Sequence, residues 1–170
     1  MQDLVGLLKQ KAFEGDIDAS QRTRQFYSHD ASLFELVPEL VVYPKNTADL
    51  QRLVVSAHLL RAKIPNLSLT ARGAGTCMSG GAINDSVIID FTRYFNKVKE
   101  VTDHSARVEP GVYYRDFEKA TLAIGALLPT FPASRELATI GGMVANDAGG
   151  EKSLQYGKTE DYVDKLSVVL

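Results

Sequence analysis

Residues 69–82 read Leu-Thr-Ala-Arg-Gly-Ala-Gly-Thr-Cys-Met-Ser-Gly-Gly-Ala, and four of the nine residues from Gly73 to Gly81 are glycine. Glycine lets the main chain adopt φ > 0 and brings its N–H groups close to a ligand with no Cβ in the way. Successive inward-pointing N–H groups form a concavity that takes anions. Arg72 adds a fixed positive charge, and Thr76 and Ser79 add hydroxyl donors, all suited to phosphate oxygens. An ordinary glycine-rich connection between two strands is the other reading of the same letters.

A second small-residue region runs over residues 127–157. Thr139 is expected to cap a short helix, and Gly141 and Gly142 to leave its first N–H groups uncovered, a further place for a phosphate. Asn146 and Ser153 are short polar groups suited to orienting a heterocycle or sugar. A glycine-rich surface loop is the alternative here too. His29 reads as a solvated surface histidine. Cys77 reads as a small packing residue, since no histidine or second cysteine lies near it in the chain.

The elements that must position these residues follow from composition and period. The chain has 170 residues, 45% hydrophobic and 24% charged, with a formal net charge of −2. That is an ordinary globular composition and gives no general reason to expect nucleic acid or an anionic membrane as partner. Its apolar runs are far shorter than the roughly 20 residues a transmembrane helix needs. No signal peptide is visible at the N-terminus, and a single cysteine fits a reducing compartment, so the expected location is cytoplasmic. The apolar run 166–170 reads as a cut inside a larger protein.

Leu4, Leu7, Leu8 and Ala12 mark an amphipathic helix over residues 3–13, ended by Gly15 and Asp16. The polar stretch 18–30 reads as a short helix or irregular turn at the surface. Residues 37–43 read as a strand, and Thr47 as the N-cap of a helix over 48–63 buried through Leu50, Leu53, Val54 and Ala57. Strands are expected at 67–71 and 87–91, so that the strand–helix–strand unit favours parallel pairing. Residues 96–101 and 106–109 form the arms of a hairpin around Asp103-His104-Ser105. A helix over 113–124 ends at Gly125, and a final strand covers 163–170. No internal repeat or low-complexity tract is present.

In order along the chain, several motifs resemble those of the vanillyl-alcohol-oxidase, or PCMH-type, FAD-binding flavoproteins. They are Pro44-Lys45-Asn46-Thr47, Thr70 to Thr76 with Ser79-Gly80-Gly81, Val108-Glu109-Pro110-Gly111-Val112, Pro132-Ala133-Ser134, Ala138 to Asn146, and Ser153-Leu154-Gln155-Tyr156-Gly157. The subgroup most similar is the FAD-linked oxidases typified by D-lactate dehydrogenase and glycolate oxidase flavin subunits. The resemblance implies an α+β, PCMH-type FAD-binding fold of two α/β subdomains, a small parallel-strand unit and then a mainly antiparallel sheet with helices, truncated at its C-terminus. Residues 1–36 would be an N-terminal helical extension, 37–92 the first subdomain and 93–170 an incomplete second one. FAD would lie extended between the subdomains. Gly73, Ala74, Gly75 and Thr76 would hold its pyrophosphate with Ser79 close by. Pro132, Ser134, Thr139, Gly141 and Gly142 would line the other side, and Asn146 and Ser153 would face the flavin. Arg72 would either contact the cofactor or brace the loop.

Departures from the family pattern carry their own implications. Covalent members have a histidine in the first loop, where this chain has Thr76 and Cys77, so non-covalent FAD is implied. Asp147 and Glu151 stand where the subgroup more often has neutral or basic residues, which would weaken binding of an anionic cofactor. The family's substrate domain, with its catalytic base, has no counterpart here, so no catalytic residue is assigned. The implied function is the FAD-holding part of an oxidoreductase for a 2-hydroxy acid such as D-lactate or glycolate. A non-catalytic remnant that binds FAD weakly or not at all is the alternative. A Rossmann-type site is disfavoured because no helix opens at the glycine loop, and a Walker loop because no Gly-Lys-Ser/Thr follows.

Overall fold

The computed structural model describes residues 1–170. Its first half is built on a four-stranded sheet of β1 (Asp16–Asp18), β2 (Leu40–Tyr43), β3 (Leu69–Arg72) and β4 (Val87–Asp90). The spatial order is β1-β2-β4-β3, with β1 antiparallel to β2 and the other neighbours parallel. The strand–helix–strand unit is therefore parallel as expected, but β4 inserts between its two strands.

Both faces of β2 and β4 are covered, which is why these strands read as unbroken apolar runs rather than alternating ones. On one face Leu40, Val42, Val87 and Ile89 pack with Leu53 of α3 (Thr47–Leu60) and with Leu4 and Leu8 of α1 (Gln2–Gln10). The residues set apart in sequence as an N-terminal extension thus supply a strand of the sheet and two fully buried core leucines. On the other face Val41, Tyr43 and Ile88 pack against Tyr27.

Helix α3 starts one residue earlier than expected. Its N-cap is Asn46, whose side-chain oxygen accepts the Asp49 N–H at 2.9 Å, and Thr47 is the first helical residue. Both are good capping types, and Asn46 is the one whose backbone is extended. The stretch 18–30 contains the exposed helix α2 (Gln21–Phe26) but then dives inward, burying Tyr27 and Ser28.

The second half holds the hairpin β5 (Val98–Val101) and β6 (Ala106–Val108), the helices α4 (Tyr114–Leu122), α5 (Ile140–Ala145) and α6 (Ser153–Tyr156), and a 3-10 turn at Thr159–Tyr162. Its core is Val112, Tyr114, Phe117, Phe131, Ala138, Ile140 and Met143. Gly125 closes α4 at φ +77°, as its sequence position predicts. The expected strand over 163–170 is not formed. These residues pair with no other strand, and Leu166, Val168 and Leu170 are exposed, because apolar extended propensity makes a strand only where a neighbouring edge accepts its hydrogen bonds.

Candidate functional site

The glycine loop joins β3 to β4 and folds back over the C-terminal end of the sheet. Gly75 takes φ +71° and Gly80 φ +81°, the turns that only glycine adopts freely. The backbone N–H groups of Gly73, Ala74, Gly75, Thr76, Cys77 and Met78 donate to no acceptor in the chain. A run of donors without protein partners in a half-buried loop is free to take acceptors from elsewhere, and such a concavity suits an anion.

Arg72 lies under this loop. Only 7% exposed, its guanidinium donates from Nη1 to the carbonyls of Tyr27 (3.3 Å) and Ala82 (3.1 Å) and from Nη2 to that of His29 (2.7 Å). Burial pushes its pKa down, and the nearby charges of Tyr27, Asp30 and Asp90 oppose that shift. Its fork is thus spent on the protein's own carbonyls, the bracing role that the sequence left open. Its positive charge remains just beneath Gly75.

An open cleft of about 390 Å³ lies over this loop, lined by Ala74, Gly75, Thr76 and Arg72 on one side and by Tyr113 and Leu137 on the other. Phe26, His29, Asp30 and Ala31 complete it. His29, expected as a solvated surface histidine, thus stands at the rim of the cleft, and Asp30 and Ala31 join it through tertiary placement that leaves no local signal. His29 pairs with Glu35 at 3.3 Å at the rim, with both side chains about half exposed.

Thr139 meets the loop from the second half. Its hydroxyl accepts the Gly142 N–H at 3.3 Å, the cap expected from sequence, and Gly73 packs directly against it. Thr139 is 2% exposed, and its own hydroxyl proton has no acceptor in the chain. The expectation that the first N–H groups of α5 are uncovered is corrected. Ile140 donates to Val112 at 2.9 Å and Gly141 to Pro110 at 2.8 Å, because the Pro-Gly turn before α4 runs alongside the helix start.

The other expected residues are more spread out. Gly73, Ser79, Pro132, Ser134, Thr139, Gly141, Gly142, Asn146 and Ser153 are absent from the cleft lining. Asn146 is the exposed C-terminal cap of α5, and the Ser153 hydroxyl accepts the Gly150 N–H at 2.8 Å. Ser79 is exposed, its hydroxyl 3.3 Å from Cys77 Sγ, and this contact lowers the Cys77 pKa. Asp147 is held by a 3.2 Å ion pair with Lys158 and a hydrogen bond from the Glu160 N–H, so its charge is locally compensated.

These residues fit a dinucleotide phosphate: a row of unpaired N–H donors, a buried cation beneath it and a buried hydroxyl proton beside it. No helix is long and apolar enough to cross a membrane.

Comparison with known proteins agrees. The chain is 34% identical over 165 residues to D-2-hydroxyglutarate dehydrogenase of Escherichia coli (strain K12), covering 96% of this chain but 16% of that protein. It is 32% identical over 161 residues to the glycolate oxidase subunit GlcD of Bacillus subtilis (strain 168), covering 91% of this chain and 33% of the subunit. Among solved structures, alkyldihydroxyacetonephosphate synthase superposes with a TM-score of 0.79 at 27% identity, over 95% of this chain and 32% of that one. Chitooligosaccharide oxidase shares the fold, with a TM-score of 0.71 at 20% identity, over 94% of this chain and 33% of its own. The chain thus spans about a sixth of the D-2-hydroxyglutarate dehydrogenase and about a third of the others. Residues 38–170 match the FAD binding domain family. With that match over most of its length and the same PCMH-type fold, the chain belongs to the FAD binding domain family of FAD-dependent oxidoreductases, and FAD is its cofactor.

Proposed function

We propose that this chain holds FAD non-covalently as the cofactor-binding part of an oxidoreductase acting on a 2-hydroxy acid. The single observation that carries the binding mode is the run of unpaired N–H groups from Gly73 to Met78, bordering a cleft walled by both halves of the chain. The relatives named as D-2-hydroxyglutarate dehydrogenase, glycolate oxidase subunit and D-lactate dehydrogenase support the substrate class.

In this reading Gly73, Ala74, Gly75 and Thr76 donate backbone N–H groups to the pyrophosphate, with the hydroxyls of Thr76 and Ser79 at the edge. Arg72 contributes its charge from below while its fork holds the loop in shape. Thr139, buried against Gly73, steadies the start of the loop from the second half. Pro132, Ser134, Gly141 and Gly142 flank the cofactor farther along, and Asn146 and Ser153 stand toward the flavin. Bound FAD supplies the acceptor for the electron pair removed from the 2-hydroxy acid. Thr76 and Cys77, in place of a histidine, leave the flavin without a covalent tether.

Titration of the apo chain with FAD tests this reading. Flavin fluorescence should quench to saturation. With free FAD at 100 times Kd, the chain should gain about 2.7 kcal/mol of stability. Acid precipitation of the complex should release all of the flavin into the supernatant. No quenching and no rise in Tm would favour the non-catalytic remnant instead.

A further inference from the structure

We propose that residues 27–31 are a clamp that holds the loop of residues 73–81 in its binding shape, with Asp30 as the positioning residue. This rests on reading that loop as the phosphate cradle.

The loop cannot hold itself. From Gly73 to Met78 none of its N–H groups finds an acceptor in the chain, so its conformation is imposed from outside. The ties converge on one short segment. The Ala31 N–H donates to the Gly75 carbonyl at 3.0 Å, at the middle of the loop. Arg72, at the start of the loop, reaches the carbonyls of Tyr27 and His29 with the same guanidinium that takes the carbonyl of Ala82 at its end. The Asp30 carboxylate closes the set, with Oδ1 accepting the Ser32 N–H at 2.8 Å and Oδ2 the Ala82 N–H at 3.4 Å. The start, middle and end of the loop are all fastened to residues 27–31.

The clamp is itself anchored to the sheet. The Tyr27 hydroxyl donates to Asp90 Oδ2 at 2.9 Å, at the C-terminal end of β4, and the Leu36 N–H donates to the Ser28 carbonyl at 3.0 Å. Residues 27–31 also precede the stretch 38–170 that matches the family, so that stretch contains the cradle without its fastening.

Asp30 carries a negative charge beside the loop. A carboxylate lining an anion site repels the ligand, so electrostatics alone disfavours it there. Burial would raise its pKa, but the hydrogen bonds from Ser32 and Ala82 and the charge of Arg72 outweigh burial and hold it ionised. Its value to the site is therefore mechanical, in fixing Ala82 and the loop's end. The two accounts predict opposite signs when the charge is removed.

The test uses the 170-residue chain as wild type, Asp30→Ala, Asp30→Asn and Arg72→Lys. Order of the apo loop is read from 15N heteronuclear NOE values at residues 73–78, and affinity from FAD fluorescence titration. The clamp predicts lower NOE values for Asp30→Ala and Arg72→Lys at the loop but not in β4. It also predicts FAD affinity weakened about tenfold, the equivalent of one lost hydrogen bond to a charged group. Asp30→Asn keeps one acceptor and should fall between Asp30→Ala and wild type. Unchanged loop NOE values in Asp30→Ala, or tighter FAD binding by it, overturn the clamp. A loop that loosens in Asp30→Ala while wild type takes up no FAD supports the clamp and overturns the cofactor reading. Should Arg72→Lys fail to fold, the two Asp30 variants carry the test alone.

Discussion

The Cα of Gly73 lies against the hydroxyl of Thr139, so closely that a Cβ at residue 73 would overlap Thr139 Oγ1 and come within 3.2 Å of its Cβ. One residue directly follows β3 and opens the glycine loop. The other caps the second-half helix α5 and is buried. The two halves of the chain are keyed together here by the absence of a side chain on one and the presence of a hydroxyl on the other.

Gly73→Ala should therefore cost about 1–3 kcal/mol by overpacking at a closed contact. Thr139→Ala alone should cost about 1 kcal/mol by loss of the α5 cap. The double variant should cost less than the sum, since removing the hydroxyl and methyl of residue 139 makes room for the new Cβ. Urea melts of the four proteins measure the coupling, and strict additivity would show that the contact is not tight in solution.

Stability should fall above pH 10. Tyr27 has its pKa raised by burial, by the neighbouring Tyr43 phenol and by the charge of Asp90, to which its hydroxyl donates. Tyr114 has its pKa raised by burial and by Glu118. A phenol whose folded pKa lies above its unfolded value of 10.0 contributes fully below that value and loses its contribution as pH rises past it. The slope is at most about 1.4 kcal/mol per pH unit for each tyrosine. Melts between pH 9 and 11 read it, and Tyr27→Phe should make the slope shallower. A slope unchanged in Tyr27→Phe would mean that Tyr27 ionises freely in the folded chain.

Leu8→Ala should destabilise the chain by about 2–5 kcal/mol, because Leu8 is fully buried between α3 and the sheet. Denaturant melts check it. A cost below about 1 kcal/mol would mean that α1 docks loosely and that the first-half core closes without it.

Asp49→Ala should cost about 2–4 kcal/mol, since several bonds are lost at a fully buried carboxylate. Its oxygens accept the N–H groups of Glu14 and Lys45, each at 3.0 Å, and pair with Arg52. These bonds tie the start of α3 to the turn between α1 and β1. Asp49→Asn, which keeps one acceptor oxygen, should recover part of the loss in the same urea melts.

Much of this was written locally. The period of Leu50, Leu53 and Ala57 marked α3, Gly125 marked the end of α4, and Thr139 marked the cap of α5, because each acts within one or two helical turns of its own position. The glycines from Gly73 to Gly81 marked the cradle for the same reason, since backbone freedom is a property of the residue itself.

What the tertiary structure decided is who satisfies whom. Whether the first N–H groups of α5 were free depended on where Pro110 and Val112 came to lie, and they lie alongside. Whether Arg72 faced a ligand or the protein depended on the carbonyl of Ala82 and on those of Tyr27 and His29, which lie 45 and 43 residues away in the chain and meet Arg72 only in the fold. Residues 163–170 have strand propensity but pair with no strand. The sequence by itself specified the glycine loop and the helices around it. Tertiary structure alone assigned the partners, because a hydrogen bond between distant residues leaves no period or composition to read and exists only once packing has brought donor and acceptor together.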